Sequence, residues 1–214
     1  MMRIFKRPIP LALLLLFLSI IPIASALLRM VEILSGSLPD DAIKFLAVPV
    51  VMFGHALGGA LFAVLGPVQF AGVLKRRFGR LHRITGRIFV VAGGLLALSS
   101  LRLLWQFPDT FTWVLTLTRL LAGLALGAAL VIAIAAIRRH QVARHKAWMI
   151  RAYAIGMGSV TVSFIMLPIF LINGEPLTGY AADLLSVASF AVNIGVAEWV
   201  IRRPMLRAGT AAAV

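Results

Sequence analysis

The chain has 214 residues, of which 61% are hydrophobic and 13% charged, and its mean hydropathy is +1.01. This composition excludes an ordinary soluble domain, in which about a quarter of the residues are charged. The absence of cysteine excludes disulfides, thiolate metal sites and attachment of a c-type haem. The formal net charge of +14 comes from short basic segments between apolar runs, a pattern that argues against nucleic acid as a partner.

Six apolar stretches are each long enough to cross a bilayer, which takes about 20 mostly apolar residues per helix. Lipid offers no hydrogen bonds to the backbone, so each stretch is predicted to be an α-helix. The predicted fold is all-α, a polytopic membrane helical bundle that forms a single membrane domain over residues 1–214, with 204–214 as a short cytoplasmic tail. The predicted spans are residues 9–29, 46–73, 84–106, 112–137, 147–172 and 178–201.

Most of the lysines and arginines fall in four groups, and two predicted spans separate each group from the next. Lys and Arg beside spans are retained in the cytoplasm, so both termini are predicted to be cytoplasmic, in a bacterial inner membrane. The same cations favour anionic headgroups of the inner leaflet as partners. The groups are Arg3 to Arg7, Lys75 to Arg87, Arg138 to Arg151 and Arg202 to Arg207.

The first span has a second interpretation as a cleavable signal peptide. A basic start and an apolar run precede Pro22 and the small-residue triplet Ala24-Ser25-Ala26, which is the usual order of such a peptide. Cleavage would leave five spans in an unchanged orientation. In the second span, Pro67 is predicted to kink the helix.

Ionisable residues inside spans are costly in lipid and are candidate functional residues. One layer of them lies in the half of the membrane away from the basic groups. This layer has two interpretations. In the first, Asp183 pairs with one of the arginines, and the ion pair fixes the order of the helices. In the second, the layer forms a polar pocket that opens outward for a ligand, a proton or a quinone headgroup. The members of this outer layer are His55, Arg102, Arg119 and Asp183.

A second layer of polar residues lies near the cytoplasmic boundary. His82 and His145 each lie near the start of a long span, and two neutral imidazoles on facing helices can bind one haem iron or another metal. Small residues follow both histidines at helical spacing, and they would admit either a flat macrocycle or close helix contact. Cations nearby would then pair with the haem propionates. The members of this inner layer are Gln69, His82, Arg83, Arg87, His140, His145, Lys146, Arg151 and Glu198.

Five short strings occur in a fixed order along the chain. They are His55-Ala-Leu-Gly-Gly, Leu65-Gly-Pro-Val-Gln69-Phe70, His82-Arg-Ile-Thr-Gly86-Arg87, His145-Lys-Ala-Trp148-Met149-Ile-Arg151 and Asn193-Ile-Gly-Val-Ala-Glu198. In this order they resemble domain-of-unknown-function family 2306, a family of bacterial multi-pass membrane proteins. The resemblance covers about residues 46 to 203 and implies a multi-pass membrane protein without an established activity. One departure is Phe164, at a position where the family often has an arginine.

Two functional hypotheses follow from these patterns. In the first, the protein is a redox protein that binds one b-type haem between the third and fifth spans, through His82 and His145, with Arg87 and Arg151 as propionate partners. In the second, no cofactor is bound, and the protein binds or transports a small ligand in the outer layer or has a structural or assembly role. A homo-oligomer or an electron-transfer partner is compatible with these hypotheses.

Overall fold

The computed structural model describes residues 8–40, 42–70, 77–108 and 112–211, with side chains described from 12 to 203 within these ranges. Over these residues the chain forms α-helices and one short 3-10 helix, with no strand. The first basic group lies outside the described residues, as do Lys75 and Arg76, and in the last group the side chain of Arg207 lies outside the described part. The helices are α1 (Pro8–Leu18), α2 (Ile20–Ser35), the 3-10 helix (Ile43–Ala47), α3 (Pro49–Phe70), α4 (Gly79–Gln106), α5 (Trp113–Arg138), α6 (Val142–Gly156), α7 (Gly158–Asn173) and α8 (Gly179–Ala211).

The described helices confirm the predicted all-α polytopic bundle. Five spans are long and apolar enough to cross a membrane, or six when the bent pair α1 and α2 is taken as one. Only 17% to 33% of each single span's apolar window is buried inside the protein, so most apolar side chains face outward. Such an outward apolar surface is expected of helices that lipid surrounds.

The first span is longer than predicted. α1 and α2 meet at Ser19 with a bend of 43°, and α2 continues to Ser35, past the predicted end at residue 29. It ends at Gly36, whose φ of 70° is the left-handed conformation that favours glycine at helix ends. Arg29 and Glu32, expected at the end of the span and in the following loop, therefore lie on α2.

The third, fifth and sixth spans also differ from their predicted bounds. α4 begins at Gly79, so that His82 lies within the helix. The fifth span consists of α6 and α7, which meet at Met157. α8 continues to Ala211, so the backbone of the predicted tail is helical as far as that residue.

Helices that are neighbours in sequence pack against each other. α3 packs on α2 and α4, α5 packs on α4 and α6, and α8 packs on α6 and α7. α4 and α6, the third span and the first part of the fifth, share only a small contact. We call the end with Arg138 and His145 the basic end of the bundle and the end with Glu32, Asp40 and Glu175 the acidic end.

Three stacked or tilted rings form an aromatic core between α3, α4 and α6. The rings of Phe62 and Phe89 stack at 4.3 Å, and the ring of Tyr153 lies 5.8 Å from that of Phe62. All three side chains are buried. Two glycines make room for Phe62, because a Cβ atom at Gly93 or Gly156 would lie within 3 Å of its ring. The aromatic core therefore depends on glycines in the two facing helices, because these residues have no side chain to occupy the space of the Phe62 ring.

Pro67 lies inside α3 and leaves one carbonyl of that helix without its usual donor. A proline has no N–H, so the helix cannot provide the hydrogen bond to the residue four positions earlier, Ala63. The Tyr153 hydroxyl lies 3.5 Å from the Ala63 carbonyl oxygen, and the Ser19 hydroxyl lies 3.3 Å from it. Ser19 also lies 2.8 Å from the Leu15 carbonyl and has one proton to donate. The first and fifth spans thus supply the donors that the second span lacks.

Candidate functional site

A cavity of about 460 Å³ lies in the acidic half of the bundle, between α2, α3, α4, α5 and α7. This volume is within the range of roughly 300–1,000 Å³ that is typical of ligand pockets. Phe45 and Phe107 line it near the acidic end, where their rings meet edge to face at 5.4 Å. Phe62 and Gly156 line its floor, so the aromatic core closes the cavity from below.

Four polar side chains line this cavity at a common depth. Each lies six positions from the acidic-end terminus of its helix, which corresponds to about 9 Å of helix. Four different helices, α2 to α5, therefore contribute one residue each to the same level. We call these residues the polar layer: Arg29, His55, Ser100 and Arg119.

His55 is held by two serines of α4. Its Nδ1 atom lies 3.2 Å from the Ser99 hydroxyl and 3.4 Å from the Ser100 hydroxyl. Ser100 also donates to the Leu96 carbonyl at 2.7 Å, a short bond that fixes its proton on the helix. Ser99 is 3.1 Å from the same carbonyl. This arrangement orients the imidazole of α3 on α4 and leaves Nε2 for other contacts.

The described lining residues of the cavity include two guanidinium groups and no carboxylate. Glu32 lies beside the cavity and offsets one of these charges, because its carboxylate is 2.9 Å from Arg29 Nη1. The two partners are largely buried, with 25% and 15% of their side chains exposed. Arg29 was not among the predicted site residues, although Gly36 was a sequence signal that the helix extended past it.

Below the polar layer the cavity continues as an apolar shaft. From His55 to Phe62 the helix α3 advances seven positions, or about 10 Å. Apolar side chains from α4, α5 and α7 form most of the wall at this level, and Ser25, Ser159 and Ser163 also line the cavity. We define the apolar shaft by Ala56, Gly59, Phe62, Leu96, Leu126 and Val160.

The structure brings together two of the four predicted outer-layer residues. His55 and Arg119 line the cavity, whereas Arg102 is exposed on α4 and Asp183 is buried near the start of α8. Within the described part of the chain, Asp183 forms no ion pair with Arg102 or Arg119. Neither residue belongs to the described cavity lining.

In the inner layer, the structure pairs Arg151 with Glu198. Nε of Arg151 lies 2.6 Å from one carboxylate oxygen and Nη2 lies 3.1 Å from the other, a two-pronged ion pair between α6 and α8. The same guanidinium lies 4.8 Å from the ring centre of Trp148. Arg202 also approaches Glu198, at 3.5 Å. Gln69 donates to the Thr85 hydroxyl and so joins α3 to α4.

The two histidines predicted to bind haem lie on different helices at the basic end. His145 Nδ1 lies 2.9 Å from the Ala133 carbonyl oxygen of α5. His82 is half-buried in the first turn of α4, and Arg87 is exposed one turn further on. The described residues contain no cluster of three or more His, Asp or Glu side chains suited to a metal ion.

The small residues near these histidines contact protein side chains. A Cβ atom at Gly86 would lie 3.4 Å from the Gln69 side chain. One at Gly93 would lie 2.7 Å from Phe62, and one at Gly156 would lie 2.5 Å from the same ring. Of the two alternatives for the small residues, this geometry favours close packing over space for a macrocycle.

Comparison with known proteins identifies the family of the chain. No curated protein and no solved structure matches it. Residues 52–201 match the family described as "Predicted membrane protein (DUF2306)". The matched range begins in α3 and ends in α8, so it includes His55 and Arg119 and excludes Arg29. Because the match covers more than half of the sequence, the chain belongs to the DUF2306 family of predicted membrane proteins.

Proposed function

We propose that this protein binds a small ligand with an anionic group in the cavity at its acidic end. The observation that carries this proposal is the polar layer, in which Arg119 and His55 line one cavity at the same depth. The planar guanidinium group matches the geometry of a carboxylate or phosphate and can bind it with two parallel hydrogen bonds.

Charge balance supports an anion over a cation. Two arginines line the cavity, and the Glu32 carboxylate is held against Arg29. Electrostatic attraction is stronger in a site that excludes water, so an anionic ligand near Arg119 would be favoured there. Ionisable residues inside membrane spans are expensive, and they commonly mark ligand or ion sites.

His55 is proposed to donate a second hydrogen bond to the ligand. In the relevant tautomer, Nδ1 accepts the proton of the Ser99 hydroxyl, which lies 3.2 Å away. The proton on Nε2 is then available to the anion. Ser99 would thus hold His55 as a positioned donor beside Arg119.

The positive-inside rule predicts the side from which the ligand arrives. The basic end is expected in the cytoplasm, so the cavity, which lies in the acidic half, would be reached from the opposite face. In a bacterial inner membrane that face is the periplasmic one. The proposal is therefore a binding protein for a periplasmic anion, with the anionic inner-leaflet lipids as the partner of its basic end.

Equilibrium dialysis of the detergent-purified protein tests the proposal, with radiolabelled octanoate, butyrate and inorganic phosphate as probes. We expect saturable binding of at least one anion, weakened about tenfold or more in Arg119→Gln, because a charged hydrogen bond is removed. Arg102→Gln is the matched control, since Arg102 is an exposed arginine at a similar depth outside the cavity lining. The proposal fails if no anion binds, or if both variants bind as the wild type does.

Haem binding between the third and fifth spans stays a prediction. One observation favours a ligand role for His145: a contact from Nδ1 to a backbone carbonyl is common in metal-binding histidines and leaves Nε2 for the metal. The pairing of Arg151 with Glu198 argues against its role as a propionate partner. Oxidised and reduced absorption spectra test it. A Soret band that His82→Ala or His145→Ala abolishes would support haem, and a colourless folded protein would reject it.

A further inference from the structure

We infer that the ligand of the cavity is a single-chain amphiphile, with its anionic headgroup at the polar layer and its apolar chain in the shaft below. This inference rests on the proposed function and specifies its ligand class. It depends on one geometric fact: the cavity does not end at Arg119 and His55 but continues about 10 Å toward the aromatic core.

The walls of the shaft suit a hydrocarbon better than water. A trapped water needs roughly two to four polar partners, and among the described lining residues the polar side chains below the polar layer are those of Ser25, Ser159 and Ser163. Of these, the Ser163 hydroxyl donates to the Ser159 carbonyl of its own helix. A small hydrophilic anion would occupy the polar layer and leave the apolar shaft unfilled.

The length of the shaft sets the size of the chain. A C–C bond is about 1.5 Å long and an extended chain zigzags, so about 10 Å accommodates roughly eight carbons. An eight-carbon carboxylate would place its headgroup at the level of His55 and its methyl end near Phe62. The aromatic core stops the chain there, because Phe62 is buried against Phe89.

Gly59 offers a way to block the shaft without disturbing the polar layer. A Cβ atom added at Gly59 meets only Leu96 Cδ1, at 3.7 Å, which is ordinary van der Waals contact. A leucine at this position would therefore extend into the shaft. Gly127 of α5 is the matched control, since it is a helical glycine outside the cavity lining with no neighbouring atom within 4 Å of an added Cβ.

The experiment compares octanoate, butyrate and octanol binding by the wild type, Gly59→Leu and Gly127→Leu. We expect the wild type to bind octanoate about tenfold or more tightly than butyrate, since each buried methylene strengthens binding. Gly59→Leu should lose this preference and keep butyrate binding, while Gly127→Leu should behave as the wild type. Partition of octanoate into detergent affects all three proteins equally.

The outcomes separate this inference from the proposed function. Equal affinity for octanoate and butyrate in the wild type would overturn the amphiphile and leave anion binding standing. An octanoate preference that persists in a folded Gly59→Leu would also overturn it. The proposed function would instead be overturned if octanol bound as tightly as octanoate, or if Arg119→Gln left the affinity for octanoate unchanged. The chain-length comparison in the wild type decides the matter even if Gly59→Leu does not fold.

Discussion

The basic and acidic halves of the bundle contain similar polar residues in different settings. In the basic half, Arg151 forms a two-pronged ion pair with Glu198, and the Gln69 side chain donates a hydrogen bond to the Thr85 hydroxyl. In the acidic half, Arg119 and His55 line a shared cavity. An ionisable residue inside a span therefore does not identify a site by itself. A cavity also lies beside Arg151 and Glu198, but it is smaller, at about 290 Å³, and its two ionisable residues are paired with each other, whereas the cavity of the acidic half, at about 460 Å³, is lined by two arginines.

Two glycines of α3 should show the largest difference between the halves. A Cβ atom at Gly66 would lie 2.1 Å from the Tyr153 ring, whereas one at Gly59 would face the cavity at 3.7 Å from Leu96. We expect Gly66→Ala to destabilise the protein by about 1–3 kcal/mol or more through overpacking. Gly59→Ala should be neutral or stabilising by up to about 1 kcal/mol, because alanine favours helix.

Thermal unfolding of the two variants in the same detergent measures this difference. The melting temperature should fall clearly for Gly66→Ala and stay near the wild-type value for Gly59→Ala. Equal melting temperatures would mean that the basic half is as loosely packed around Gly66 as the cavity is around Gly59, and the contrast between the halves would be wrong.

Removing the two hydroxyls near the Ala63 carbonyl should change the free energy of unfolding by an intermediate amount. Ser19→Ala or Tyr153→Phe alone leaves one hydroxyl near this oxygen, so each should cost no more than about 1 kcal/mol. Together they leave a buried acceptor without a donor, which costs about 1–3 kcal/mol. The combined loss should therefore exceed the sum of the two single losses.

A third substitution tests the cause of that excess. Pro67→Ala restores the N–H four positions after Ala63, and the helix can then satisfy the carbonyl by itself. In this background Ser19→Ala and Tyr153→Phe should become additive in unfolding free energy. If the excess persists with alanine at position 67, the missing N–H is not its origin.

The ion pair of Arg151 and Glu198 should give the smallest effect. About a quarter of each side chain is exposed, at 27% and 26%. A double-mutant cycle with Arg151→Gln and Glu198→Gln should yield a coupling of about 0.5–1 kcal/mol. The parallel cycle of Arg202 with Glu198 should give less, because that contact is 3.5 Å long and Arg202 is 69% exposed. Equal couplings in the two cycles would contradict the two-pronged geometry.

Hydropathy was sufficient to predict the helical spans, since each span is a long apolar stretch. It predicted the ends less well, because polar residues at membrane boundaries can continue a helix. α2 runs past Arg29 to Gly36, and α4 begins before His82. The glycine stop signal was present in the sequence, whereas the early start of α4 had no strong capping signal.

The site was only partly predictable. His55 and Arg119 could be identified because charge and imidazole groups are rare inside spans. Arg102 and Asp183 met the same criterion and lie outside the cavity lining, since spacing along a sequence does not reveal which face of a helix meets its neighbours. The pairing of Arg151 with Glu198 likewise required the packing of α6 on α8. The orphaned carbonyl of Ala63, by contrast, follows from Pro67 alone.

That carbonyl has a consequence for the order in which the protein assembles. The Tyr153 hydroxyl that reaches it comes from 90 residues later in the chain. During synthesis, the second span therefore enters the membrane before its fifth-span partner exists, with only the first span able to supply a hydroxyl. Transmembrane helices insert first and associate afterwards. Association of the fifth span with the second would complete the hydrogen bonding of the Ala63 carbonyl, so this carbonyl acquires its second hydroxyl partner only when the bundle packs.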